Sequence, residues 1–191
     1  MKFSIVGNGK LSKKYGKRID SGTVVRFNRA RVLDYEDIVG SKTDVLSLVG
    51  ETGLSYNSAA GYINRDVLTD TGLVWFSAVK HNQDYEKLLD SISRQRKSYT
   101  YIGFEDYQRM AKEIDSDYVM ARLPSTGVNT ICYCYYQMDD KAKMNVYGFD
   151  CFETGHYFDD EKRNNEKFHD LSMEQKIIER LKADKRIKFF N

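Results

Sequence analysis

Five short runs carry apolar and β-branched residues at strand density: Phe3–Val6, Thr23–Phe27, Val45–Val49, Leu73–Val79 and Met144–Tyr147. Between and after them, apolar residues recur every three or four positions. That spacing predicts helices over Asp84–Ser93, Glu105–Ile114, Gly127–Met138 and Ser172–Ala183. In the last of these, Met173, Ile177, Ile178 and Leu181 form one stripe, and Ser172 with Gln175 fits a capping box at its start. Strands alternating with helices predict an α/β fold: a mostly parallel sheet flanked by helices. A chain of 191 residues with one proline, no repeat and no linker-like stretch reads as a single domain over 1–191.

Composition narrows this picture only a little. Hydrophobic residues at 41% and charged residues at 30% fit a folded soluble protein, and a net charge of +2 names no partner. The charge is unevenly placed, however. Lys2, Lys10, Lys13, Lys14, Lys17, Arg18, Arg26, Arg29 and Arg31 crowd the N-terminal segment around a lone acid, Asp20, which favours a phosphate-bearing ligand there. No long apolar run or cleavage-site pattern marks a membrane anchor or leader. The three cysteines, Cys132, Cys134 and Cys151, are odd in number and too few for a closed zinc site, so they read as reduced thiols in a cytoplasmic protein.

Three segments hold candidate chemistry. The first strand runs into Gly7, Asn8 and Gly9, a turn open enough for backbone amides to approach a phosphate or ribose, although it is neither a GxGxxG fingerprint nor a P-loop. Pro124, Ser125 and Thr126 precede a helix whose N-terminus offers free N–H groups to an anion. His156 in GHYF and His169 in FHDLSMEQ lie close together in the C-terminal stretch, with Glu174 in the first helical turn beyond. Histidine can act as a base near neutral pH or, when charged, donate to phosphate oxygens. His81, in the polar run KHNQD, reads as a surface residue.

In this order the segments resemble glycosyltransferase family 29, the sialyltransferases. VGNGKLSKKYGKRIDSGTVVRFNRA resembles the large sialylmotif, and GSKTD at Gly40–Asp44 resembles the short segment that follows it. PSTG through VYGF is similar to the small sialylmotif, HYF to motif III, and His169 with Glu174 to the H-x4-E of the very small motif. The resemblance implies a sialyltransferase-like GT-A-variant fold and an inverting enzyme that uses a nucleotide-sugar donor without a metal or other cofactor. It implies that Asn8 and Asn28 hold the nucleotide beside Gly7 and Gly9. By the same resemblance Ser125, Thr126 and Gly127 close around ribose and donor sugar, with Tyr157 also in the donor site. His156 then meets the leaving phosphate, His169 is the base that deprotonates the acceptor hydroxyl, and Glu174 is a supporting residue.

The chain departs from the family pattern as well. Phe3 stands where the first cysteine of a family disulfide would be, and no cysteine occurs between Tyr135 and Lys141, near the second. The joint loss implies a reducing compartment and a bacterial or viral enzyme. The region from Gly50 to Asp117 matches no motif and is where acceptor choice is expected. Three rival readings accompany this one. Asp115-Ser116-Asp117 is a DxD, which in other glycosyltransferases holds a divalent metal against two phosphates. Arg94, Arg96 and Lys97 followed by Tyr99 and Tyr101 could track a DNA backbone, which suggests glycosylation of a hydroxymethylated cytosine from a uridine-diphosphate pentose instead of an acceptor glycan. The third rival is a non-catalytic nucleotide-binding protein, against which the two histidines weigh.

Overall fold

Each core strand carries apolar residues on alternate sides, and in the computed structural model both faces of the sheet are covered. The structure describes residues 1–28, 30–50, 71–79, 89–90, 92–94, 97–150, 155–158 and 169–191. Its strands are β1 (Lys2–Val6), β2 (Thr23–Phe27), β3 (Val45–Gly50), β4 (Leu73–Val79), β5 (Ser98–Ile102), β6 (Lys143–Tyr147) and β7 (Ile187–Phe190). All pair in parallel, in the order β5-β4-β3-β2-β1-β6-β7. The helices α1 (Gly16–Ile19), α2 (Glu36–Val39), α3 (Glu105–Ile114), α4 (Thr126–Gln137) and α5 (Leu171–Lys182) lie on its faces.

The alternation sorts the core into two layers. Ile5, Val25, Met144 and Val146 join Tyr107 and Met110 of α3, Ile131 of α4 and Ile177, Ile178 and Leu181 of α5. Their neighbours Val6, Val24 and Tyr147 point the other way and meet Ile19 of α1 and Val39 of α2. Burial on both faces is what an all-parallel sheet requires, and each such side chain contributes about 1.5–3 kcal/mol of hydrophobic stabilisation. Arg26, the arginine of the R-x-N pattern, is fully buried. It donates to the carbonyls of Val39 and Gly40 at the end of α2 and to the Lys42 carbonyl and Thr43 hydroxyl, so it pins α2 to the sheet.

All five expected strands and three of the expected helices fall within one residue of their predicted bounds, and β2, β4 and α3 match in full. The expected helix Asp84–Ser93 lies largely outside the described residues, with 89–90 and 92–94 helical. β5 and β7 were not expected, because edge strands carry little of the apolar signal: in SYTYI only Ile102 is buried, and in IKFF only Ile187. The capping box at Ser172 is replaced by a cap at Asp170, whose carboxylate accepts the Met173 N–H at 3.2 Å. Asp caps as well as Ser, and Glu174, at helical spacing from Ile177, Ile178 and Leu181, faces inward along with Met173.

Cys132 and Cys134 are free thiols buried in α4. Burial pushes both pKa values up, that of Cys134 to about 12, which keeps them protonated and unreactive in the native state. Cys151 lies outside the described residues. The chain should therefore take up three equivalents of a thiol reagent in denaturant without prior reduction, with Cys132 and Cys134 reacting only after unfolding. A missing pair of equivalents would contradict the free-thiol reading.

Candidate active site

The sheet winds outward from β1 to β5 and then returns to place β6 on the other side of β1. In open α/β sheets such a reversal leaves a crevice at the carboxyl ends of the two strands, where ligands bind. Val6 of β1 and Tyr147 of β6 are in register, so the turns Gly7–Gly9 and Gly148–Asp150 leave the sheet side by side.

These turns are bonded to each other. The Gly7 N–H donates to the Tyr147 carbonyl at 2.8 Å and the Gly9 N–H to the Gly148 carbonyl at 3.1 Å. A Cβ on Gly7 would come 2.5 Å from the Gly148 oxygen and 2.7 Å from the Phe149 ring, and one on Gly127 would come 2.5 Å from the same ring. Phe149 is thus wedged between the β1 turn and the start of α4, with Phe27 edge-on at 5.7 Å. The glycines of the first turn are required by this packing, and the Gly7 and Gly9 amides expected to face a phosphate are engaged within the protein. Asn8 offers a side chain instead. Its Nδ2 points to the Phe27 carbonyl at 3.4 Å, while its buried Oδ1 has no hydrogen-bond partner among the described residues. An unmade buried bond costs about 1–3 kcal/mol, which a ligand N–H or O–H would offset. Asn28 sits at φ 45°, a left-handed position that Asn tolerates, just past β2 and bonded by its N–H to Ser47.

The motif around His156 closes over this turn. His156 forms an antiparallel bridge with Gly9, and the Tyr157 N–H donates to the Asn8 carbonyl at 2.8 Å. The Tyr157 hydroxyl accepts the Arg31 N–H at 3.0 Å and donates to the Arg31 carbonyl, and its ring meets Tyr35 edge-on. Burial pushes this phenol up to about 12. Tyr157 therefore braces the loops after β1 and β2 against each other, and its hydroxyl is spent in doing so.

α4 and α5 bring the remaining candidates together. The Ser125 hydroxyl accepts the Val128 N–H at 3.3 Å as the α4 cap. Glu174, 2% exposed, accepts the Ser125 N–H at 2.6 Å and the Ser125 hydroxyl at 2.8 Å. Desolvation raises the Glu174 pKa against the lowering effect of those two bonds and of nearby His169. The His169 Nδ1 lies 3.0 Å from the Leu123 carbonyl. A carbonyl only accepts, so Nδ1 is the donor in this bond and carries a proton. Ser125, expected to touch the donor, has its N–H and hydroxyl committed to Glu174 and Val128. The amides of Thr126 and Gly127 are different: no described residue accepts from them, and they form the positive end of α4.

Packing and hydrogen bonds thus join most of the expected site residues: Gly127 to Phe149 to Gly7, Asn8 to Tyr157 and Gly9 to His156, Ser125 to Glu174, and Leu123 to His169. Sequence reading missed Phe149 and Leu123. Phe149 lies within VYGFD and was legible as part of the small motif, whereas Leu123 acts through its carbonyl and carries no sequence signal. Elsewhere, Asp115 caps the end of α3 and its carboxylate accepts the Asp117 N–H at 3.2 Å. In the basic patch Arg94 pairs with Asp90 at 2.8 Å and Lys97 donates to the Thr71 carbonyl, so these two cations are engaged within the chain, while Arg96 lies outside the described residues. Among the described residues no helix is long and apolar enough to cross a membrane.

Comparison with known proteins agrees with this fold. A CMP-N-acetylneuraminate-beta-galactosamide-alpha-2,3-sialyltransferase 1 of Gallus gallus is 26% identical over 98% of this chain, which spans 57% of that protein. A mammalian sialyltransferase crystallised with Gal-beta-1-3GalNAc-ortho-nitrophenol superposes at a TM-score of 0.65 with 20% identity, over 99% of this chain and 68% of that one. The sialyltransferase CstII of Campylobacter jejuni, solved with cytidine-5'-monophosphate, superposes at 0.52 with 17% identity, over 98% and 78%. Both share the fold. The sequence profile of glycosyltransferase family 29 (sialyltransferase) matches residues 2–186, and the chain belongs to that family.

Proposed function

We propose that the chain is an inverting, metal-independent sialyltransferase that moves a sialic acid from a CMP donor to a hydroxyl of an acceptor glycan. The observation that carries this reading is the His169 to Leu123 hydrogen bond, which anchors the imidazole through Nδ1 to the segment leading into the turn Ser125–Gly127. The nucleotide and acceptor class come from the relative's name and from the ligands of the two superposed structures.

In the proposed reaction the acceptor oxygen bonds to the anomeric carbon as the bond from that carbon to the phosphate oxygen breaks. His169 Nε2 takes the hydroxyl proton, and CMP departs with the electron pair. Charge builds on the phosphate, where His156 and the Thr126 and Gly127 amides supply donors, while the Asn8 carboxamide reads the nucleotide. A single displacement inverts the anomeric centre. The missing cysteine pair supports a reducing compartment, the cytoplasm of a bacterium or of an infected cell.

Because histidine and amide donors neutralise the phosphate in this scheme, full activity should survive EDTA. Loss of activity in chelator, restored by Mn²⁺, would bring Asp115 and Asp117 into the mechanism and overturn it.

A further inference from the structure

We infer that Asn129 is a positioning residue for the donor-binding turn: its carboxamide ties α4 to the ends of β4 and β5 and so fixes where Ser125–Gly127 faces the switch point. This rests on the donor assignment above. Asn129 is fully buried one turn into α4, and its N–H donates to the Ser125 carbonyl at 3.0 Å. Its Nδ2 donates to the Ser77 hydroxyl at 2.9 Å, near the end of β4, and to the Gly103 carbonyl at 3.0 Å, just beyond β5. The next residue, Thr130, shares a hydrogen bond of 2.8 Å with Ser47 of β3. Two successive residues of α4 therefore anchor the helix to three adjacent strands.

Stability alone is a poor reason for this choice. Asn is a weak helix former, and Asn129 Oδ1 is buried with no hydrogen-bond partner among the described residues, a cost that an apolar residue of the same shape would avoid. What the side chain secures is the position of the helix along its axis. Any slide of α4 moves the Thr126 and Gly127 amides by the same distance, and a shift of about 1 Å at a reacting centre can cost on the order of a hundredfold in rate.

The test is Asn129→Leu, near-isosteric and apolar, compared with wild type by CMP titration and by steady-state kinetics well below the melting temperature. The expected result is CMP affinity lowered about tenfold and kcat lowered by a similar factor, because donor and base are no longer matched in place. A role in packing alone would lower Tm and leave both values unchanged, and that result in a folded variant would overturn the proposal. Ser77→Ala keeps the Gly103 bond and should show a smaller change in the same direction. Its effect should be less than additive with Asn129→Leu, since both remove the same Asn129–Ser77 bond. If Asn129→Leu does not fold, Ser77→Ala decides: unchanged CMP affinity and kcat reject the inference. Wild-type protein that binds no CMP would overturn the donor assignment, and the inference with it.

Discussion

Replacing His169 with alanine is expected to lower kcat by about a hundredfold to ten-thousandfold, the range for loss of a general base, while CMP affinity stays near that of wild type. The split follows from position. The Nδ1 of His169 is held by the Leu123 carbonyl, which fixes the ring, and the proposed role of base falls to Nε2. The nucleotide is assigned to other groups: Asn8, Asn28 and the first amides of α4. His156→Ala should behave differently, weakening nucleotide binding and turnover together, because His156 is bridged to Gly9 within the donor wall. Steady-state kinetics with parallel calorimetric titration of CMP measures both quantities. Near-normal turnover of His169→Ala would move the base to another carboxylate or imidazole, with Glu174, Asp159 and Asp160 the next to change.

Glu174→Ala is expected to be the most destabilising single change at the site, by about 2–4 kcal/mol, since it leaves the buried Ser125 N–H without an acceptor and opens a cavity beneath it. For a chain of this size that is a fall in Tm of roughly 5–15 °C. Glu174→Gln is far milder, because the amide oxygen still accepts from Ser125 and the amide nitrogen can face the hydroxyl. The pH dependence separates the two forms. Desolvation holds the folded pKa of Glu174 above its ordinary value of 4.5. Between those two values the folded state binds more protons than the unfolded one, so the contribution of Glu174 to stability is full below 4.5 and declines as pH rises through the folded pKa. Wild type should show this decline in thermal melts across the window, and Glu174→Gln should lack it. Parallel profiles for the two proteins would show that the carboxyl titrates as it does in the unfolded chain.

The strands of the two-sided core were legible in sequence because runs such as SIV and TVV place apolar residues on both faces. The edge strands were not, since Tyr99, Thr100 and Tyr101 are all exposed and present no apolar face. The site residues were legible as motifs, but their physical roles were less so. Gly7 read as an opening for a phosphate or ribose and Gly127 as part of the segment around the donor, yet the bulk of Phe149 helps exclude a side chain from both. Ser125 read as a donor contact, and only the inward-facing, buried Glu174 shows its hydroxyl already committed. Contacts made by backbone carbonyls, such as Leu123 to His169, leave no trace in residue identity.

Donor choice is the most direct measurement. The purified protein is incubated with a panel of CMP and UDP sugars, without acceptor and in EDTA, and release of free sugar is followed by NMR. Slow hydrolysis confined to a CMP-sialic acid is the expected result, because a bound donor beside a basic histidine leaks to water. Hydrolysis of a UDP sugar with the CMP donors left intact would contradict the assignment of the switch-point crevice to a CMP donor.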